Sequence, residues 1–270
     1  MKVEVIKWSC ITLLFSVGLI VLYLALPKLE DAKHEPKCAA PCKSGAVCMN
    51  TPFLWTSILN VTCVPIQKKA PVLNIKLPFK AHVKVFCTHA PGVGTHSWPN
   101  AYWALDLAIP YHNHNPRVYA SATGIAYISH VQCPEPSGSA AQSKISPCGE
   151  GFGNWVKIYH GNGYYTFYAH LDHTLVKNGS LVQQGQPIGE MGWTGNAGHR
   201  HLHWSTQRLP GKNEAEWRHT ITNYMGESVP FDFLAMQSNK LEKFDIRKVQ
   251  CEHVNIGSTV DSQPTFNGVF

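Results

Sequence analysis

Hydrophobic positions are spaced in two different ways along this chain. Residues 8–26, WSCITLLFSVGLIVLYLAL, run for nineteen positions without a charge. At about 1.5 Å per helical residue they span roughly 28 Å, near the ~30 Å hydrocarbon core of a bilayer. Beyond residue 81 the apolar positions recur at short, strand-like intervals. Residues 82–87 alternate, 104–110 form a short apolar run, and 117–131 form a longer β-rich stretch broken at Gly124. Residues 154–160 and 164–170 flank Gly161-Asn162-Gly163, a composition that favours a tight hairpin turn. Gly185, Gly189 and Gly192 punctuate residues 181–192, as glycines do where strands turn sharply. No heptad, helical period or useful internal repeat follows the apolar run. The pattern predicts a mainly β, antiparallel-sheet domain preceded by an N-terminal transmembrane helix.

Charge and cysteine placement divide the chain further. Lys2 and Lys7 precede the apolar run, so residues 1–7 read as a cytoplasmic tail and 8–26 as a membrane anchor. A cleaved signal segment is the rival and would make the product secreted. The run is longer than a usual signal core, however, and no Ala-x-Ala site precedes Pro27. Residues 27–37 are polar and charged, a linker. Residues 38–80 hold Cys38, Cys42, Cys48 and Cys63 and read as a small disulfide-rich module followed by a second linker at 68–77. Of nine cysteines, Cys10 alone lies in the apolar run, and an even number on the exported side argues for disulfides. Paired Cys-x-x-Cys knuckles, the zinc-finger alternative, are absent from the sequence. Residues 134–146, rich in Pro, Ser, Gly and Ala, predict a loop clipped at its base by Cys133 and Cys148. Cys87 with Cys251 would tie the C-terminal stretch to the first strand. The main β domain then covers 81–210, and 211–270 form a C-terminal extension whose role the sequence does not state.

Composition narrows the chemistry. With 44% hydrophobic and 15% charged residues in 270, a disordered chain is excluded. A net charge of +6 is too mild for a nucleic-acid-binding stripe. Fifteen histidines are more telling, because imidazole is both a metal ligand and a base near neutral pH. In His201-Leu202-His203 the two imidazoles share one face of a strand. The strand 164–170 ends in His170. Asp106 sits within the apolar Trp103-Ala104-Leu105-Asp106-Leu107, and a lone buried carboxylate costs several kcal/mol unless paired, protonated or bound to a cation. Taken singly, each also has a plainer reading: two strand histidines, or an Asp bonded to backbone. His89, His130, His160, His173, His199 and His219 read as surface or loop residues.

Residues 96–207 contain Tyr-Ala-His-Leu, Gly-Gln-x-Ile-Gly, Thr-Gly and His-Leu-His in a fixed order. In these motifs the chain resembles the lysostaphin-type (LytM-like) zinc metallopeptidases, peptidoglycan endopeptidases of bacterial cell walls. The resemblance implies one Zn²⁺ per chain, with Asp106 and His203 as ligands and His170 and His201 as the catalytic pair. It departs at the remaining ligand. The family's His-x-x-x-Asp spacing falls here on Tyr102, whose phenol, with a pKa near ~10, is no simple substitute for imidazole. His96, in Gly94-Thr95-His96-Ser97-Trp98, is the expected replacement, with His112 and His114 as fallbacks. The function implied is hydrolysis of peptidoglycan peptide cross-links by metal-activated water, in an extracytoplasmic location and with the membrane contacted through the N-terminal helix. The alternative is a non-catalytic member of the same fold, acting as a wall-binding or hydrolase-activating module.

Overall fold

A computed structural model describes residues 40–42, 46–52, 59–65, 73–109, 116–135, 146–211, 213–223, 225–237, 240–251 and 265–270. The tail 1–7, the apolar run 8–26, the linker 27–37, His112 and His114 lie outside the described residues. Among the described residues no helix is long and apolar enough to cross a membrane.

Strands β1 (Ala46–Pro52) and β2 (Leu59–Pro65) form a separate antiparallel pair, and a Cys42–Cys63 disulfide joins β2 to the chain ahead of β1. The remaining strands form one 13-stranded sheet. In chain order they are β3 (Lys84–His89), β4 (Ala104–Ala108), β5 (Arg117–Tyr119), β6 (Gly124–Ile128), β7 (Asn154–Gly161) and β8 (Tyr164–Thr174). There follow β9 (Leu181–Val182), β10 (Pro187–Met191), β11 (Leu202–Arg208), helix α1 (Glu214–Thr220), β12 (Glu227–Ser228), β13 (Asp232–Gln237), β14 (Lys240–Asp245) and β15 (Thr265–Asn267). The spatial order is β14-β13-β15-β3-β4-β11-β8-β7-β6-β9, with β10 on β5 and β8, and β12 on β11. The paired strands run antiparallel throughout.

The sheet buries both faces over its centre, and alternation along each strand sorts the side chains. Leu105 and Leu107 of β4, Tyr168 and Leu171 of β8, and Leu202 and Trp204 of β11 enter one core, where Trp204 meets Phe231 and Phe233 edge-on. Trp155 and Tyr159 of β7 and Tyr165 and Phe167 of β8 form a second cluster with Trp217 and Ile221, on and just after α1. Asn213 caps α1 by accepting from the Glu216 amide, with acidic residues in its first turn and basic ones in its last, as the helix dipole favours. Lys157 enters this second cluster, donating to the carbonyl of Ile221 at 2.8 Å beneath the Trp155 ring.

The hairpin between β7 and β8 turns on Asn162 and Gly163, both at positive φ, which matches the twist of the flanking strands. Two stretches differ from their sequence reading. Residues 73–77, read as linker, enter the core instead, because Ile75, Leu77 and the neighbouring Phe79 alternate as a strand does. The stretch beyond residue 210 supplies α1 and β12–β15, with β15 lying between β13 and β3.

Candidate active site

The site starts from strand register. His203 of β11 lies directly opposite Asp106 of β4, and their flanking residues Leu105, Leu107, Leu202 and Trp204 fill the core. Asp106 and His203 therefore project together from the other face. A short 3₁₀ turn, Gly94–Ser97, delivers His96 to the same place. His96 Nε2 and His203 Nδ1 each lie 3.0 Å from Asp106 Oδ1. The three potential ligand atoms lie within 4.8 Å of one another, and all three residues are buried.

The far side of each ring fixes its chemistry. His96 Nδ1 stands 3.0 Å from the carbonyl of Ala90, which can only accept, so Nδ1 carries the proton. Nε2 then turns its lone pair on a carboxylate oxygen unless a cation or a second proton intervenes. Burial opposes charge on both residues. Even so, Asp106 pulls the His96 pKa above its usual value, while His96 and His201 hold the Asp106 carboxyl well below the carboxylate range. Burial pushes His203 the other way, toward neutrality, and its Nε2 is buried without a hydrogen-bond partner. Two imidazoles, one of them oriented by a backbone carbonyl, and a carboxylate are a donor set suited to a divalent metal of the zinc type.

Two further imidazoles border this cluster. The sequence reading ends a strand at His170, but β8 continues to Thr174 and His170 lies within it. By alternation it would enter the core with Tyr168. Instead, Asn154 and Val156 of β7 face Leu171 and Tyr168, so β8 holds one extra residue there, a bulge. His170 adopts φ 60°, left-handed and uncommon for a non-glycine residue, and Ala169 and His170 sit between two core residues. Its Nδ1 donates to the carbonyl of Thr194 at 2.8 Å. His201 immediately precedes β11, and its Nδ1 donates to the carbonyl of His199 at 2.8 Å. The ring centroids of His170 and His201 are 4.7 Å apart, and His201 Nε2 lies 3.5 Å from Asp106 Oδ2. Desolvation, and then the neighbouring His201, push the His170 pKa well below its ordinary value.

All five residues singled out by sequence thus meet: His96, Asp106, His170, His201 and His203. The Tyr102 ring packs against Gly92 and Trp103. Two histidines read as surface or loop lie beside the cluster instead. His89 stands opposite Asp106 with its ring 5.1 Å from His96, and His199 packs 4.7 Å from His201 with Nε2 buried and its pKa pushed to about 4 by burial. Neither lies on a motif, so only the register of β3 and the path of the 192–201 segment could expose them. Phe152 and Phe167 wall the cluster, at 5.4 and 6.0 Å from the His203 ring.

Residues 103–216 match Peptidase family M23. The matched segment takes in Asp106, His170, His201 and His203 and begins after His96. Peptidoglycan DD-endopeptidase ShyC of Vibrio cholerae is 31% identical over 153 residues, covering 52% of this chain and 34% of that protein. Peptidoglycan DD-endopeptidase ShyA of the same organism is 52% identical over 52 residues, covering 19% of this chain and 12% of that protein. The chain therefore spans about a third of the first relative's length and less of the second's. The lysostaphin catalytic domain of Staphylococcus simulans has 23% identity and a TM-score of 0.32, covering 48% of this chain and 83% of that domain. A superposition that loose carries no residue-by-residue correspondence.

Proposed function

We propose, from the match of residues 103–216 to Peptidase family M23 and from the geometry of the site, that the protein is a zinc metalloendopeptidase that hydrolyses peptide cross-links of peptidoglycan. The observation that carries this reading is the meeting of a His96–Asp106–His203 donor set with two imidazoles, His170 and His201, that are not part of it. His96, Asp106 and His203 would hold the metal, which when bound supplies Lewis acidity toward the scissile carbonyl and lowers the pKa of bound water. Asp106 offers the carboxylate oxygen nearest both ligand imidazoles, and Ala90 fixes the His96 tautomer through its carbonyl.

His170 and His201 each commit Nδ1–H to a backbone carbonyl, which leaves Nε2 to act on substrate. One takes a proton from the attacking water at Nε2 and returns it to the leaving amine; the other, when it carries a second proton at Nε2, donates to the developing oxyanion. Burial holds His170 neutral, with the proton on Nδ1 and the lone pair on Nε2. The product would act outside the cytoplasm, held to the membrane through residues 8–26. The test is zinc counted per chain alongside release of cross-linked muropeptides from purified wall by the same preparation. One zinc and turnover are expected. A chain that binds wall material and zinc without cleaving it would overturn the reading in favour of a binding module.

A further inference from the structure

The carbonyls that hold both free imidazoles, those of Thr194 and His199, lie on one irregular segment between β10 and β11. What fixes that segment also fixes the histidines. One side chain from outside it reaches both its ends. Glu135 Oε1 accepts from the Trp193 amide at 2.9 Å, just after β10, and from Arg200 Nη1 at 2.9 Å, just before β11; Oε2 accepts from Arg200 Nη2 at 2.7 Å. The carboxylate spans the segment as a staple, with both oxygens engaged in a forked, charge-assisted pair. Glu135 is itself anchored. Two residues earlier, Cys133 is bonded to Cys148, and its backbone amide and carbonyl are both engaged by the Asn154 side chain, at 2.7 and 3.0 Å. Asn154 belongs to β7 and also donates to the carbonyl of Asp172 on β8, so the staple is braced against the sheet that carries His170.

The pair is partly solvent-exposed, with side-chain exposures of 34% for Arg200 and 24% for Glu135, and exposed ion pairs add little stability. Its effect is geometric. We propose that Glu135, acting through Arg200, is a positioning residue: it sets the distance between the two ends of the 192–201 segment and thereby the aim of His170 and His201. The kinetic part of this inference rests on the peptidase reading above; the structural part does not.

The experiment uses the full chain in detergent, comparing wild type with Glu135→Ala, Arg200→Ala, the double variant and the conservative Glu135→Gln. Three quantities are read: hydrogen exchange of peptides covering 192–201, zinc per chain, and kcat and KM for muropeptide release. Exchange in 192–201 should rise about tenfold in Glu135→Ala, with zinc retained and kcat lower by about ten- to hundredfold at nearly constant KM, since small misplacements of catalytic groups cost that much. Glu135→Gln, which can still accept from Trp193, should recover part of the loss. The double variant should be no worse than Glu135→Ala, which already loses both the Arg200 and the Trp193 contacts. Unchanged exchange in 192–201 overturns the proposal whatever the activity, and so does an active wild type matched in kcat by Glu135→Ala. If exchange rises as expected but wild type releases nothing, the staple stands and the peptidase reading falls.

Discussion

Asp106 occupies a demanding environment, a carboxylate 6% exposed whose Oδ1 lies 3.0 Å from two imidazole nitrogens. Removing it leaves two buried imidazoles without the carboxylate they share and removes the only anionic member of the donor set. Asp106→Ala is therefore expected to lose zinc and turnover together, read by elemental analysis and muropeptide release; full zinc retention would contradict the assignment. His170→Ala and His201→Ala should behave differently, because their Nε2 atoms border the donor set without belonging to it. Zinc and fold should persist while kcat falls by about 10²–10⁴-fold, the usual weight of acid–base catalysis, with little change in KM. Zinc loss in either variant would make that residue a ligand. In the sequence, His201, His203 and Asp106 stand out as a His-x-His pair on a strand and a carboxylate in an apolar run and His170 as a strand end, while His96 and the roles of all five are what the resemblance to lysostaphin-type peptidases implies. The sequence left Glu135 and Arg200 unseen, because a pair separated by 65 positions has no local signature. The side on which His170 emerges was equally hidden, since period-two alternation assigns it to the core and only the bulge in β8 reverses it.

At the scale of elements, the β7–β8 hairpin is tied back to the turn before β6 by a polar chain. The amide of Ser121 donates to Tyr168 Oη, Tyr168 to Thr166 Oγ1, and Thr166 lies 3.0 Å from His160 Nε2; His160 Nδ1 faces the carbonyl of Thr123 at 2.9 Å. That carbonyl requires a proton on Nδ1, so Nε2 must accept from Thr166, and the ring is held neutral. Burial accordingly pushes the His160 pKa down to about 4. In the unfolded chain the value returns to about 6.5, so between about pH 6.5 and 4 the unfolded state binds the extra proton. The stability His160 provides is thus complete above about pH 6.5 and is lost as pH falls toward 4. The loss should amount to about 1–3 kcal/mol. His160→Gln can keep both hydrogen bonds without titrating. Denaturant unfolding at pH 7 and pH 4 should show a smaller difference for His160→Gln than for wild type, and equal differences would refute the assignment. Strands and hairpin were legible from alternation and from Gly161-Asn162-Gly163, whereas this network was not, because it joins three elements through side chains that no spacing rule connects.

Across the whole molecule, two disulfides do different work. The loop at 134–146 predicts Cys133–Cys148, and Cys87–Cys251 is a weaker expectation from sequence; the consequences of both depend on a sheet order that alternation alone does not supply. The β13–β14 hairpin meets the rest of the sheet through β15, which pairs with β3 at Thr265–Phe86, Phe266–Val85 and Asn267–Lys84 and with β13 at Met236. Packing of Phe233, Phe244 and Phe266 helps, and Cys87–Cys251 adds a covalent tie from β3 to the chain beyond β14. That bond closes a separation of 164 residues, against 15 for Cys133–Cys148. In the chain-entropy picture the first stabilises by about 5 kcal/mol and the second by about 3 kcal/mol. None of His96, Asp106, His170, His201 and His203 lies on β13, β14 or β15, whereas Cys133–Cys148 braces the residue that staples the 192–201 segment. Stability and turnover should therefore separate. The Cys87→Ala/Cys251→Ala chain should show the larger fall in denaturation midpoint, yet keep near-normal kcat when assayed well below its melting temperature. The Cys133→Ala/Cys148→Ala chain should lose less stability and more kcat, with faster exchange in 192–201. Parallel losses of both quantities in both variants would mean that the short disulfide is only a further brace and that the segment carrying the carbonyls of Thr194 and His199 holds its shape without it.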